Sequence, residues 1–132
     1  MMEIKTALEE TGGDESAARQ ILKKRGFDKA NKRAGRETKQ GLVATYTHTN
    51  GKIGAMVEFR CETDFVARND EFKTTAFNLC LQVAAMAPRD VKELEAQEFI
   101  KDPSQKVGDL IKSLAAKFGE NIRIGRMERC EI

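Results

Sequence analysis

The sequence contains few of the residues from which metal sites and disulfide-stabilised folds are built. Its 132 residues include one histidine, three cysteines, two prolines, one tyrosine and no tryptophan. A single histidine, His48, provides too few nitrogen ligands for a common zinc site. Cys61, Cys80 and Cys130 are too widely spaced for a Cys-x-x-Cys motif or a small disulfide framework. We therefore expect no metal and no cofactor, and we interpret the three thiols as buried or unused.

Motifs of catalysis and of membrane insertion are also missing. The sequence has no glycine-rich phosphate loop, no Gly-x-Ser-x-Gly nucleophile, and no serine or cysteine near a usable histidine. No apolar run approaches the roughly 20 residues of a membrane span, and no segment resembles a signal peptide. These absences predict a soluble, cytoplasmic protein that is not an enzyme and has no membrane partner.

The composition is that of a folded chain with an uneven charge. Hydrophobic residues make up 40% and charged residues 33%, which is enough for one compact core with an appendage. The net charge is only +2, but residues 19–39 hold nine basic and two acidic residues, so this segment carries +7. Such a segment contacts nucleic acid, an acidic protein face or only water. A ribosome- or RNA-associated module is therefore one hypothesis, although Phe27 is the segment's one aromatic residue and no RNA-binding motif is present.

Residues 1–40 have the pattern of a small helical module. Apolar residues at helical spacing predict a first helix that ends at Gly12–Gly13, a second from Asp14 to Gly26, and a short third over Asp28–Ala34. The module has little apolar surface of its own, so we do not expect it to be stable alone.

A β-hairpin is predicted around Asn50–Gly51. Apolar residues alternate on both sides of this dipeptide, which favours a two-residue turn. The turn pairs residues whose numbers sum to 101, a register that places the apolar residues of both strands on one face. The predicted pairs are Leu42 with Phe59, Ala44 with Val57, and Tyr46 with Ala55.

Two further helices are predicted from their caps and apolar stripes. Asn69 is expected to cap a helix that ends near Pro88. Ser104 is expected to cap a second helix that ends at Gly119. The segment Cys61–Val66 is interpreted as a loop.

The last strand is predicted over residues 121–132, with a bulge around Gly125. Together with the hairpin and helices it gives an α+β fold, a three-stranded antiparallel sheet covered by helices on one face. The other face is then uncovered at Val43 and Met56. The residues of the last strand expected on one side are Ile122, Ile124, Cys130 and Ile132.

The segment Glu62–Phe72 is unusual for a connection between a strand and a helix. It crowds several carboxylates and the aromatic Phe65 into a few positions. Phe65 is either an exposed interface anchor or a residue folded back onto the sheet. The residue types alone leave both interpretations open.

The segment Cys61–Phe72 reads Cys-Glu-Thr-Asp-Phe-Val-Ala-Arg-Asn-Asp-Glu-Phe and closely resembles the signature of elongation factor Ts, the nucleotide exchange factor of elongation factor Tu. Residues 1–10, 35–43 and 117–122 resemble further blocks of this family in the same order. The resemblance implies a ubiquitin-associated-like helical module and linker over residues 1–40. It implies a core and dimerisation domain over residues 41–132.

The resemblance also implies which residues contact elongation factor Tu. Thr63, Asp64, Phe65 and Val66 correspond to the exchange motif, whose aromatic ring enters near the magnesium and switch region of the partner and lowers its affinity for GDP. No bond to the nucleotide is broken in this process.

Secondary contacts follow from the same resemblance. Met1 and Met2 match methionines that pack on the partner's G domain, and the alternative is that they belong to the core of the helical module. Phe118 and Gly119 stand where the family usually has Ile-Gly, so Phe118 departs from the pattern. His48 matches a histidine that belongs to the second lobe of two-lobed relatives and touches the partner's third domain.

The chain looks like a minimal form of the family. It lacks the helical excursion that many members carry between residues 88 and 100, and it begins at Met1 without the family's first helix. We expect an incomplete helical module. Because one lobe supplies Phe65 and His48 only once, the resemblance implies a homodimer in which the two residues reach one partner from different subunits.

Overall fold

The computed structural model describes residues 15–132. The predicted first helix, together with Met1 and Met2, lies outside these residues. The elements in chain order are α1 (Glu15–Arg33), β1 (Gln40–Thr47), β2 (Ile53–Cys61), α2 (Asp64–Ala67), α3 (Asp70–Met86), α4 (Val91–Ala96), β3 (Glu98–Phe99), β4 (Asp102–Lys106), α5 (Val107–Phe118) and β5 (Arg123–Glu131).

Helix α1 is one continuous helix of 19 residues. The predicted stop at Gly26 and the separate helix over Asp28–Ala34 are therefore wrong. A Cβ atom placed at Gly26 would lie 3.2 Å from the Cβ atom of Ala116 in α5. The missing side chain allows the two helices to pack closely, so this glycine serves packing and not termination.

Strands β1 and β2 form the predicted hairpin in the predicted antiparallel register. The tip is wider than a two-residue turn, because the ladder ends at the pair Thr47–Gly54 and the Gly51 N–H donates to the His48 carbonyl at 2.8 Å. Gly51 adopts a φ of +71°, as its place in the turn requires. The confirmed pairs are Leu42–Phe59, Ala44–Val57 and Tyr46–Ala55.

Strand β5 pairs antiparallel with β2, which gives the sheet order β1-β2-β5. The register shifts between residues 57 and 59, opposite Gly125, so the predicted bulge is confirmed. The bulge reverses the side-chain alternation along β5. The expected common face is therefore wrong in part: Ile122 and Ile124 are buried, whereas Cys130 and Ile132 are exposed.

Helix α3 has both predicted ends. The Asn69 side chain accepts hydrogen bonds from the N–H groups of Glu71 and Phe72, at 2.8 and 3.4 Å. The helix ends at Ala87, in the left-handed conformation just before Pro88. The predicted loop before it contains the one-turn helix α2, which the sequence pattern was too short to reveal.

The segment between α3 and α5 differs most from the prediction. Ser104 lies in β4, where its hydroxyl and N–H donate to Asp102, so it is not a helix cap; α5 begins after Lys106 instead. Helix α4 and the β3–β4 hairpin were not expected. The buried Gln82 of α3 holds this hairpin: its Nε2 donates to the Glu98 carbonyl at 3.0 Å, and its Oε1 accepts the Ile100 N–H at 2.9 Å. Helix α5 ends at Gly119, as predicted.

The core lies between the sheet and the helices on one of its faces. Along β2, Val57 and Phe59 are completely buried, while Met56, just before Val57, is exposed on the other face. The ring of Phe59 stacks on Phe72 of α3 with 4.5 Å between ring centroids. Val43 of β1 shares the uncovered face with Met56. The predicted α+β class and the three-stranded sheet are confirmed.

Candidate partner-binding site

The candidate site is centred on the turn from β2 to α2. Thr63 is the N-cap of α2, and its Oγ1 accepts the N–H of Val66 at 3.5 Å. Val66 and Ala67 are buried, so the one-turn helix is anchored on its inner side. Thr63, Asp64 and Phe65 face solvent. The turn therefore presents three consecutive side chains on a fixed base.

Phe65 is the outermost of these side chains, with 85% of its surface exposed. The interpretation that it folds back onto the sheet is wrong. A large aromatic ring in water loses the hydrophobic free energy that burial would provide. An exposed ring on an anchored turn has the arrangement of an interface anchor.

Asp64 forms an ion pair with Arg68 one helical turn later, with 2.5 Å between carboxylate oxygen and guanidinium nitrogen. Both side chains are more than half exposed, and ion pairs in water contribute little to stability. The carboxylate beside Phe65 is therefore lightly held and stays accessible to a partner.

A carboxylate from another part of the chain holds the turn from behind. Glu120 Oε1 accepts the N–H groups of Glu62 and Thr63 at 3.1 and 3.0 Å, and its Oε2 accepts the Thr63 hydroxyl at 2.6 Å. Glu120 directly follows Gly119, the C-cap of α5. The end of α5 and the start of α2 are thereby joined.

The linker after α1 meets the same end of the sheet. Glu62 accepts the N–H of Asn121, and the Asn121 side-chain amide donates to the carbonyls of Ala34 and Arg36 at 3.1 and 2.7 Å. Thr38 is buried nearby, and its carbonyl accepts from Arg60 Nε at 2.9 Å. Three segments far apart in sequence thus converge behind the exposed turn.

The cysteines offer no reactive thiol beneath this site. Cys61 is fully buried at the end of β2, and burial, with Glu120 nearby, raises its thiol pKa from 9.0 to about 11. Burial also raises the pKa of Cys80 to about 11. Both thiols are therefore protonated at neutral pH and are poor nucleophiles. Cys130 is exposed.

The secondary contact residues divide between the two ends of the sheet. Phe118, half-buried, and Gly119 lie next to the exposed turn, because Glu120 connects them to Thr63. His48 is exposed at the opposite end, at the tip of the hairpin, where its Nδ1 lies 2.9 Å from the Tyr46 hydroxyl. The structure thus brings Phe118 and Gly119 to the candidate site, but not His48.

The sequence comparisons identify the family. The profile described as Elongation factor TS matches residues 62–132, more than half of the chain. Elongation factor Ts of Thermotoga neapolitana is 42% identical to this chain, in an alignment that covers 100% of this chain and 89% of the relative. The chain belongs to the elongation factor Ts family. Further family members are those of Thermotoga petrophila, 41% identical with 100% and 88% covered, and of Aquifex aeolicus, 44% identical with 96% and 45% covered.

This elongation factor Ts family member is shorter than the relatives it matches. The alignment with the Thermotoga neapolitana protein spans 175 positions, although the chain has 132 residues, so the relative carries residues that this member lacks. Between α3 and α5 the chain has only α4 and the β3–β4 hairpin. None of the helices within residues 15–132 is long and apolar enough to cross a membrane. Over the same range, no group of three or more His, Cys, Asp or Glu residues is placed to hold a metal ion.

Sequence reasoning missed the residues that hold the site of this family member together. Glu62, Glu120 and Asn121 were assigned no role, although residues 117–122 formed one of the blocks that resemble the family. Their partners lie almost 60 positions away in sequence. No local pattern reports such a contact, so the position beside a helix-ending glycine was the one available signal.

Proposed function

We propose that this member of the elongation factor Ts family binds elongation factor Tu and promotes the release of GDP. Asp64 and Phe65 insert near the magnesium and switch region of the partner, with Thr63 and Val66 holding their turn. The observation that carries the proposal is the Phe65 ring, 85% exposed on an anchored turn within the family signature. The protein acts by binding and not as an enzyme, and it uses no cofactor or metal of its own.

The physical basis is a competition between two ligands of one partner. An exchange factor binds the nucleotide-free partner more tightly than the GDP-bound partner, and GDP then weakens factor binding by the same factor. Phe65 is suited to this because its ring gains the free energy of burial only when the partner covers it. Truncating a central aromatic anchor costs ~2 kcal/mol or more, which is about 30-fold in an equilibrium constant.

Release of a fluorescent GDP analogue from elongation factor Tu tests the proposal. The protein should accelerate release, and Phe65→Ala should lower the acceleration by about 30-fold while the fold stays intact, since Phe65 lies outside the buried core. Phe77→Ala is the matched control, because Phe77 is a second exposed phenylalanine, on α3 and outside the motif. No acceleration by the unchanged protein contradicts the proposed function; full activity of a folded Phe65→Ala protein contradicts the role of the ring.

The active unit in this proposal is a homodimer. His48 and Phe65 lie beyond opposite ends of the nine-residue strand β2, so about 30 Å of sheet separates them. Val43 and Met56 are 58% and 48% exposed on the uncovered face. A second copy packed on this face by two-fold symmetry covers these apolar side chains and places His48 of one subunit with Phe65 of the other.

Sedimentation velocity at micromolar concentration tests the dimer. The expected mass is twice the 14.8 kDa of one chain. Met56→Asp should give monomers because it puts a charge into the proposed interface, whereas Met86→Asp, at an equally exposed methionine on α3, should leave the dimer intact. Mixing Phe65→Ala with His48→Ala chains should recover part of the exchange activity. A monomer with full activity would refute this arrangement.

The remaining assignments belong to the same proposal. Met1 and Met2 pack on the G domain, and Phe118 and Gly119 make a second contact beside Phe65. Residues 1–40 are the helical module and linker, residues 41–132 are the core and dimerisation domain, and the protein works in the cytoplasm.

The basic segment, residues 19–39, orients the module and is not a specific nucleic-acid site. RNA binding should be weak and fall steeply with salt. Tight, sequence-selective RNA binding at physiological salt would favour a ribosome- or RNA-associated module instead.

A further inference from the structure

The two residues before Asp64 donate their backbone N–H groups to a single side chain. Beyond the last residue of β2, the N–H groups of Glu62 and Thr63 both donate to one oxygen of Glu120, at 3.1 and 3.0 Å. The second oxygen accepts the Thr63 hydroxyl at 2.6 Å. Three hydrogen bonds to one carboxylate, each strengthened by its charge, thus end on the two residues before Asp64.

Glu120 is itself fixed to the scaffold. Its N–H donates to the Ala115 carbonyl at 3.3 Å, next to the C-cap bond of Gly119 to the same carbonyl at 2.9 Å. The Asn121 N–H donates to the Glu62 carboxylate in the opposite direction. The turn and the end of α5 therefore hold each other by reciprocal contacts.

The Phe65 ring itself is not packed against the core. The ring is 85% exposed and lies outside the buried core, so its direction follows from the backbone that carries it. That backbone is a helix of four residues, with N–H bonds from Ala67 to the Thr63 carbonyl and from Arg68 to the Asp64 carbonyl at 3.2 and 3.1 Å. Such a short helix is not stable by itself, so its attachments set the direction of the ring: the buried Val66 and Ala67 on its inner side and the hydrogen bonds to Glu120 at its start.

We propose that Glu120 is a positioning residue for nucleotide exchange, whose carboxylate orients the Phe65 turn through Glu62 and Thr63. This inference rests on the proposed function. A positioned ring enters the partner without first being ordered, whereas a loosened turn is in the competent orientation only part of the time. Loss of the carboxylate therefore lowers the rate at which a bound partner releases GDP more than it weakens binding.

The test compares Glu120→Ala with Glu120→Gln and with Glu93→Ala. Glu120→Gln keeps an oxygen that accepts both N–H groups. Glu93 is the matched control. Its surface carboxylate accepts hydrogen bonds from the Arg89 backbone N–H and guanidinium group, and it is far from the turn in sequence. Two measurements are made: amide hydrogen exchange at Glu62 and Thr63, and release of fluorescent GDP over a range of factor concentrations.

Glu120→Ala should speed amide exchange at Glu62 and Thr63 by about tenfold or more. It should lower the maximal rate of GDP release by about tenfold, with little change in the half-saturating concentration. Glu120→Gln should recover most of both losses, and Glu93→Ala should show neither. A merely structural role would lower the melting temperature and would change the maximal rate and the half-saturating concentration together.

Three results would overturn the inference. The first is unchanged amide exchange at Glu62 and Thr63 in Glu120→Ala, which would show that the carboxylate does not hold the turn. The second is faster amide exchange with an unchanged maximal rate of GDP release. The third is that the unchanged protein does not accelerate GDP release, a result that would contradict the proposed function as well. If Glu120→Ala does not fold, Glu120→Asp, one methylene shorter, gives the same test.

Discussion

The two ends of the three-stranded sheet carry an exposed ring each, but they are built differently. At one end Phe65 stands on a capped turn that donates hydrogen bonds to Glu120 and is anchored by the buried Val66. At the other end His48 stands on the hairpin tip, where five residues connect β1 and β2 and the Tyr46 hydroxyl contacts the His48 ring. Side-chain hydrogen bonds with a distant segment hold the first turn, whereas the hairpin tip has a local contact for its ring and a backbone hydrogen bond from the Ile132 N–H to the Lys52 carbonyl.

The comparison teaches that exposure alone does not describe a contact residue. A side chain that displaces part of a partner has to keep its orientation when the partner contacts it. This requires a backbone that is anchored to the core. A side chain that only adds contact area can lie on a turn that is held by local contacts alone. We therefore expect substitutions beneath the Phe65 end to have larger effects than substitutions at the hairpin tip.

The largest effect is expected at Phe72, which lies under the Phe65 end. Phe72 is fully buried and stacks on Phe59, so Phe72→Ala should lower the free energy of unfolding by about 3–5 kcal/mol. Denaturant unfolding measures this value. Phe77→Ala, at a partly exposed phenylalanine on the same helix, should cost much less; equal losses would show that burial does not distinguish the two rings.

A smaller effect is expected at Thr63. Thr63→Val keeps the shape of the side chain but removes both the cap to Val66 and the hydrogen bond to Glu120, at a cost of about 1–2 kcal/mol. Thr47→Val provides the comparison at the tip end, where the exposed side chain has no such role. That variant should stay within about 0.5 kcal/mol of the unchanged protein in thermal unfolding.

The tip should respond to backbone conformation more than to side chains. Gly51 has a φ of +71°, so Gly51→Ala should cost about 1 kcal/mol. Gly35→Ala is the control, since a Cβ atom there meets nothing within 4 Å. If both variants unfold at the same temperature, the positive φ of the tip does not constrain the hairpin.

The smallest effect on stability is expected from ionisation of the Cys61 thiol, which matters little at neutral pH and more at alkaline pH. Its pKa is raised from 9.0 to about 11 in the folded protein by burial, so above pH 9 the unfolded chain loses this proton more readily than the folded chain. Stability should therefore fall as pH rises from 9 to 11. Urea unfolding across this range should show a shallower loss in Cys61→Ala, while Cys130→Ala, at an exposed position, should keep the loss of the unchanged protein.

Local signals in the sequence were sufficient for the hairpin register, the Asn69 cap and the helix end at Gly119. Each depends on residues a few positions apart, whose conformational preferences act before tertiary contacts form. Gly26 misled because the same residue type ends helices and permits close packing. The inward face of β5 was wrong after Gly125 because a bulge exchanges the two faces of a strand.

Contacts between distant segments account for the rest. The β3–β4 hairpin is held by Gln82, and the site turn by Glu120; neither partner is near in sequence. Motif resemblance indicated that Phe65 matters, but the physical reason for its exposure came from the fold. The sequence thus indicated candidate contact residues but not the residues that hold them in place.

The close packing of α1 on α5 sets a spacing within the molecule. Gly26 meets α5 at Ala116, and Glu120, which holds the turn of Phe65, follows only four residues later. Helix α5 continues for only two residues beyond Ala116, about 3 Å along its axis, before its C-cap Gly119 and then Glu120. Helix α1 and the turn that carries the exposed ring are therefore both attached at the C-terminal end of α5. A partner surface that contacts both must match the fixed spacing between them.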